Sequence, residues 1–298
     1  MRRGKRKNKI IGTLIALVLV IIASFLGLEQ TKDENNITEQ VSSIVTDGNL
    51  QVYYLDVGQA DSIFIQCEGK NMLIDAGTNE MGSAVVQFLK SRNITKLDYV
   101  VGTHPHEDHI GGLDDVIRSF EIGQVFMPEI STNTKTFEDV LDAIAAKNLK
   151  VTSPEIGDKF SLGQANIEVM SSIIEKDNLN LSSIVLRLTY GKNSFLFMGD
   201  AEMTNEEQRN WPQTQILKVG HHGSNTSSSE EFLKQVKPEV AIISVGEDNS
   251  YGHPNKEIID RFTTIGALIY RTDLDGTIYI HSDGEKYEVK KLEKIVNE

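Results

Sequence analysis

Cysteine is almost absent: Cys67 is the only one in 298 residues, so no intrachain disulfide can form and no thiolate cluster can hold a metal. Its place at the end of the apolar run Ser62 to Cys67 points to a buried thiol. Positive charge is scarce beyond the first nine residues. Arg2, Arg3, Lys5, Arg6, Lys7 and Lys9 contribute six positive charges, and removing them from the net charge of −13 leaves −19 for the rest. Such a surface repels phosphate backbones at long range, which argues against avid nonspecific binding to nucleic acid and allows only a local basic groove. A short fixed-period repeat is missing as well, which excludes a solenoid.

Only one long uncharged run is present, Ile10 to Leu28, directly after the basic cluster. It is close to the ~20 residues needed to span a bilayer, longer than the ~7 to 15 apolar residues of a secretory signal, and no A-x-A site follows it. A retained transmembrane helix over 10–28 is therefore expected, with residues 1–9 cytoplasmic, a polar linker over 29–49 and the folded domain, 50–298, outside the cell. A cleaved signal peptide, which would leave the protein secreted, is the alternative. The apolar fraction of 39% gives the folded domain material for a sizeable core.

The segment Val100 to Gly112, Val-Val-Gly-Thr-His-Pro-His-Glu-Asp-His-Ile-Gly-Gly, carries the chemistry. His104 and His106 alternate after a β-branched run and can aim at one point. Asp108 and His109 follow on a loop and can serve a second point close by. Imidazole nitrogen with carboxylate oxygen suits zinc, manganese or iron.

Short β-rich runs at Gln51 to Val57, Ser62 to Cys67 and Asn71 to Asp75 read as a meander, and Gly82 to Arg92 as a helix. Leu97 to Val101 is a buried strand that delivers the histidine segment, and Gly111-Gly112 lets the chain turn into a helix at Leu113 to Phe120. Ser183 to Tyr190 and Ser194 to Met198 form a hairpin across Gly191-Lys192-Asn193. Asp200 follows its second strand. Ile216 to Val219 is a strand that delivers His221, and Ser229 to Val236 a helix with Ser229 as its N-cap. Two strand-rich halves, each with helices, imply an α/β sandwich of two sheets between helical layers.

His104-x-His106-x-Asp108-His109 resembles the H-x-H-x-D-H signature of the metallo-β-lactamase superfamily. Leu73 to Gly77, Phe197 to Ala201 and Val219 to Ser224 fall in the expected order. Leu55 to Ser62 and Tyr251 to Asn255 narrow the resemblance to the hydrolase domain of ComEC-type competence DNA-uptake proteins, over roughly Leu50 to Lys290. The resemblance implies the αββα sandwich of that superfamily with two divalent ions, zinc or manganese. It implies that His104 and His106 bind the first ion, that Asp108, His109 and His221 bind the second, and that Asp200 bridges both.

The departure is at the first ion's third histidine, since no histidine occurs between His109 and His221. Asp177, Asn178, Asn180 and Ser182 stand there, with Asn180 the candidate for a weak or outer-sphere ligand. Asp75 is expected to orient the ligands, and it joins Asp108 and His253 among the catalytic candidates. His253, between Gly252 and Pro254, could donate a proton to a leaving oxygen or hold a phosphate. His222 and Ser224 are expected substrate contacts, Ser224 through backbone N–H groups beside Gly223. Asp56, Gln59 and Asp61 are read equally well as a fixed hairpin or as part of the site.

The resemblance thus implies a membrane-tethered extracellular phosphodiesterase acting on DNA by metal-activated water. Hydrolysis of a smaller phosphodiester, an envelope phosphoester or a β-lactam is the enzymatic alternative. The acidic domain favours a smaller substrate, and the missing histidine argues against a lactam. A surface binding module with structural metals is a third reading.

Overall fold

The computed structural model describes residues 49–293 and Ile295. The expected anchor Ile10 to Leu28 and its linker up to residue 48 lie outside the described residues. Among the described residues no helix is long and apolar enough to cross a membrane.

The first half contributes β1 (Leu50–Tyr54), β2 (Ile63–Cys67), β3 (Lys70–Ile74), β4 (Lys96–Val101), β5 (Glu121–Phe126) and β6 (Val151–Thr152). Then come β7 (Lys159–Leu162), β8 (Ala165–Ser171), β9 (Val185–Tyr190), β10 (Asn193–Phe197), β11 (Ile216–Lys218), β12 (Val240–Ile243) and β13 (Leu268–Arg271). The hairpin β14 (Thr277–Ser282) and β15 (Tyr287–Leu292) ends the fold.

These strands form two mixed sheets. One has the order β15-β14-β1-β2-β3-β4-β5-β6 and the other β13-β12-β11-β10-β9-β8-β7. Within the first, β3, β4, β5 and β6 run parallel, and within the second, β10 to β13 do. The carboxyl ends of these parallel runs supply the loops from which a site can be built.

Strand β1 shows why two sheets stack. All five of its residues are buried, and successive side chains point to opposite faces. Leu50, Val52 and Tyr54 join the core between the sheets with Ile167, Val169, Phe195 and Phe197. Tyr53 points the other way and meets Phe64, Tyr279 and Phe88, the last from the helix Gly82–Ser91. On the outer face of the second sheet, Leu196, Leu217 and Ala241 pack with Phe232, Val236 and Phe262 from the helices Glu230–Val236 and Lys256–Thr264. Burial of each such large side chain stabilises the fold by about 1.5–3 kcal/mol.

Several local expectations match the coordinates. The helix after Ser229 is capped by its hydroxyl, which accepts from Phe232 N–H at 3.2 Å. The Ser183–Met198 hairpin forms as β9 and β10. The turn at Gly111-Gly112 has a different cause from the one expected. Gly111 has an ordinary helical φ of −54°, but a side-chain carbon on it would stand 2.3 Å from Asn79 N, and one on Gly112 2.5 Å from Ala76 O. The pair is needed for close approach of the Ala76–Gly82 backbone.

Candidate metal centre

Most of the candidate residues follow a strand's carboxyl end: Asp75 after β3, His104 and His106 after β4, Asp200 after β10, His221 and His222 after β11, and His253 on the longer loop that leaves β12. Asp108 and His109 lie in a single helical turn, Glu107–Ile110. Two parallel runs, one per sheet, therefore aim their ends at a common rim.

Asp108, His109, Asp200 and His222 each bring a ligand atom to one point. His109 Nε2 stands 3.2 Å from Asp200 Oδ1, His222 Nε2 is 3.5 Å from the same oxygen, and Asp108 Oδ2 is 3.4 Å from His222 Nε2 and 3.9 Å from His109 Nε2. Two ligand bonds of about 2.1 Å at a tetrahedral angle place their donor atoms about 3.4 Å apart. The observed spacings match that edge. His109 Nε2, His222 Nε2 and Asp200 Oδ1 are all buried without a hydrogen-bond partner, a costly arrangement for three polar atoms unless a cation joins them.

The far side of each ring fixes this arrangement. His109 Nδ1–H donates to Asp75 Oδ2 at 2.8 Å, and Asp75 is itself held by Thr103 N–H at 2.8 Å and Thr103 Oγ1–H at 2.7 Å. His222 Nδ1–H donates to the Ser244 carbonyl at 2.9 Å. Both Nε2 atoms are thereby turned inward. Burial opposes charge on His109, but Asp200, Asp75 and Asp108 together hold its pKa well above the usual imidazole value. Burial likewise opposes charge on Asp200, and the surrounding imidazoles, His109 first, hold it well below the usual carboxylate range. The four side chains form a focus for positive charge.

A second group lies on the other oxygen of Asp200. His104 Nε2 is 3.9 Å from Asp200 Oδ2 and 3.0 Å from His106 Nδ1. His104 Nδ1 is within 3.3 Å of Thr103 Oγ1 and of Ser183 Oγ, and Ser183 Oγ in turn accepts from Asp200 N–H. Burial and the nearby His109 push the His104 pKa well below the usual imidazole value, which keeps its nitrogen free to bind a metal.

The adjacent histidines differ from the sequence expectation. His221 was expected beside Asp108 and His109, with His222 outside as a substrate contact; the coordinates bring His222 into that group and leave His221 out of it. The cause is backbone conformation. Both residues are left-handed, with φ of 48° and 52°, so the chain turns sharply between them and sends the buried His222 ring inward. His221 keeps 21% of its side chain exposed, with Nε2 3.7 Å from Asp200 Oδ2. Its Nδ1 is 3.0 Å from Thr226 Oγ1 and 3.3 Å from Glu202 Oε1. Asn180 Nδ2 approaches His221 Nε2 at 3.3 Å.

Ser224 is also placed differently from expectation. It is 4% exposed, its N–H donates to the His221 carbonyl at 2.7 Å and its hydroxyl meets Thr226 Oγ1, so both groups are used inside the loop. His253 reaches the rim: its ring meets His221 edge-on at 5.6 Å, and Tyr251, 70% exposed, stacks on it at 5.8 Å. Burial together with His221 and His222 pushes the His253 pKa down to about 4.

One residue missed by sequence reasoning, Lys218, lies beneath the centre, paired with Asp61, which the sequence left open between a hairpin and the site. Lys218 is fully buried and donates to the Gly199 carbonyl at 3.0 Å. Asp61 is also 3.5 Å from His222 Nδ1. A lysine set between Leu217 and Val219 in an apolar strand was the available signal, because lysine is almost never buried without a partner. Asp56 accepts from Gly58 N–H at 3.3 Å and Gln59 from Gly246 N–H at 3.0 Å, and both bonds tie down this loop.

The sequence profile of the Metallo-beta-lactamase superfamily matches residues 55–247, a span that contains every ligand atom described above. The chain belongs to the metallo-β-lactamase superfamily. It is 30% identical over 251 residues to ComE operon protein 3 of Bacillus subtilis (strain 168), an alignment covering 76% of this chain and 32% of that protein. It is 29% identical over 242 residues to Competence protein ComA of Neisseria gonorrhoeae, covering 78% and 32%. The chain thus spans about a third of the length of these ComEC-like relatives. The metallo-β-lactamase fold protein YhfI from Bacillus subtilis matches in structure with a TM-score of 0.55 and 11% identity, over 78% of this chain and 100% of that one. At that identity the match shows the fold alone. Within this metallo-β-lactamase chain, the stretch that lacks the third histidine forms the turn Leu179–Ser182, which carries Asn180 toward His221.

Proposed function

We propose that the chain is a two-metal phosphodiesterase acting on DNA. The observation that carries this reading is Asp200: one of its oxygens faces His109 and His222, and the other faces His104. A carboxylate shared in this way suits a bridge between two cations. Asp108, His109, Asp200 and His222 would hold one divalent ion, and His104, His106 and Asp200 the other. Zinc or manganese there would acidify a water and neutralise charge at a phosphoryl oxygen.

The chain's own residues supply the rest. Asp75 and the Ser244 carbonyl fix which nitrogens face inward. His253 lies beside His221 and under Tyr251 at the rim, where an N–H of its ring can donate to a phosphate oxygen. Tyr251 offers an exposed ring on which a nucleotide base can stack. Competence-protein relatives support a DNA-related substrate. The acidic surface favours a short or single-stranded segment over long duplex, because a neutralised local site then has fewer phosphates to attract against the global field. We also propose that Ile10 to Leu28 tethers the domain to the outer face of the cell membrane, a reading supported by the basic cluster before that run. N-terminal sequencing of membrane-purified protein tests the tether; a mature start between Ala23 and Asn49 would show that it is cleaved.

The substrate test uses the full chain loaded with manganese or zinc against single- and double-stranded DNA, bis(p-nitrophenyl) phosphate and nitrocefin. Metal-dependent cleavage of DNA and of the phosphodiester is expected, with nitrocefin intact. Hydrolysis of nitrocefin without cleavage of DNA would overturn the proposal and favour the lactam alternative.

A further inference from the structure

We infer that His221 completes the site of the first ion, so that two adjacent histidines serve two different metals. The inference rests on the two-metal reading proposed above and adds a ligand to it.

Three observations point there. Asp200 sorts the imidazoles by oxygen. His109 Nε2 and His222 Nε2 lie 3.2 and 3.5 Å from Oδ1, while His104 Nε2 and His221 Nε2 lie 3.9 and 3.7 Å from Oδ2. His221 therefore shares an oxygen with His104 and not with the Asp108 group. Its tautomer is also set. Nδ1–H donates to Thr226 Oγ1 at 3.0 Å, whose own hydrogen goes to Glu202 Oε1, so the lone pair is on Nε2, where Asn180 Nδ2 now donates at 3.3 Å and a bound ion would take its place. Glu202 is held in turn by Thr226 Oγ1–H at 3.1 Å and Asn178 Nδ2 at 2.9 Å.

The backbone supplies the third observation. Two successive non-glycine residues in the left-handed region are rare, and they persist only where the surroundings enforce them. Here His221 N–H donates to Gly199 O at 3.1 Å, Ser224 N–H to His221 O at 2.7 Å and Ser227 Oγ–H to Gly220 O at 2.8 Å. The turn they hold is what separates the two rings. The histidine absent between His109 and His221 is thus replaced from another strand end. The resulting first site, with His221 partly exposed and His253 and Tyr251 leading outward from it, is the one a substrate meets first.

The test is manganese titration of the full chain, read by metal content and by electron paramagnetic resonance. Wild-type protein should take up two ions per chain with a coupled-pair spectrum. His221→Ala, and His221→Asn, which tolerates the left-handed backbone, should weaken one ion at least tenfold and give the spectrum of an isolated ion. The ion that stays reports an intact fold. Combining His221→Ala with His104→Ala should leave one ion, whereas combining it with Asp108→Ala should leave none. Retention of both ions at wild-type affinity in the His221 variants would overturn the inference, as would loss of the ion that Asp108 holds. Fewer than two ions in wild type would instead remove the two-metal reading itself.

Discussion

Asp75 is a buried, left-handed residue with φ of 57° whose two oxygens are engaged by Thr103 and His109. Burial raises its pKa and the adjacent His109 opposes that rise, so the carboxylate is useful only while the imidazole stays beside it. Asp75→Asn keeps a side chain that accepts the left-handed backbone and removes the charge. Metal affinity should fall by roughly 10- to 100-fold, as is usual for the partner of a ligating histidine, measured by competition with a chromophoric chelator. Unchanged affinity would mean that His109 is positioned by packing alone. His253 leads to a different expectation from the one its sequence context supports. With its pKa down at about 4, the ring is neutral at pH 7 and contributes a hydrogen bond rather than a proton. His253→Ala should therefore reduce kcat/KM by roughly 10- to 100-fold, the worth of one hydrogen bond to a charged group, and equally on DNA and on p-nitrophenyl esters. A loss confined to DNA, whose leaving oxygen needs protonation, would restore the proton-donor role.

At the scale of elements, the end of the sandwich remote from these strand ends is closed by two hairpins. Lys192 N–H in the β9–β10 turn donates to Gly284 O in the β14–β15 turn at 2.6 Å, and Ser282 Oγ–H donates to Asn193 Oδ1 at 2.6 Å. Gly191 has φ of +56°, and a side-chain carbon there would sit 2.2 Å from Gly284 O. Gly191→Ala should cost at least about 1–2 kcal/mol from left-handed strain alone, seen as a lower urea midpoint; an unchanged midpoint would mean that the turns part freely. Gly191-Lys192-Asn193 is legible in the sequence as a turn, and Asp283-Gly284 has the same local turn chemistry. Their meeting was not legible, because it depends on how two sheets stack. The same division runs through the site. His104 to His109 could be read from spacing, since one loop carries them all. The exchange of His221 and His222 could not, because it depends on two backbone angles that no residue type in Gly-His-His-Gly requires. Strand β5 opens on Glu121-Ile122-Gly123-Gln124, whose polar residues and glycine hide its start in the sequence.

For the whole molecule, two features oppose each other. The centre gathers Asp61, Asp75, Asp108 and Asp200 around buried histidines, with Lys218 as the buried counter-charge to Asp61, and divalent ions would relieve the remaining repulsion. Removing metal should therefore destabilise the fold. An ion at a hundred times its dissociation constant contributes about 2.7 kcal/mol, and at about 2–4 °C per kcal/mol for a domain of this size a chelator should lower Tm by roughly 5–10 °C in a calorimetric scan. No shift would mean that the ligand cluster is equally stable without a cation. The surrounding surface carries a strong negative charge that no local pairing cancels, so DNA affinity should be modest. The αββα sandwich itself was legible from alternating strands and helices, whereas substrate choice depends on the rim near Tyr251 and His253. If His221 does fill the first site, the missing histidine no longer argues against a lactam, and the substrate panel decides that question. The most direct measurement is phosphodiester cleavage of a single-stranded oligonucleotide followed while manganese is titrated into the metal-free full chain. Activity should stay near zero through the first equivalent and rise with occupancy of the second ion; full activity at one ion per chain, or none at two, would contradict a two-metal phosphodiesterase.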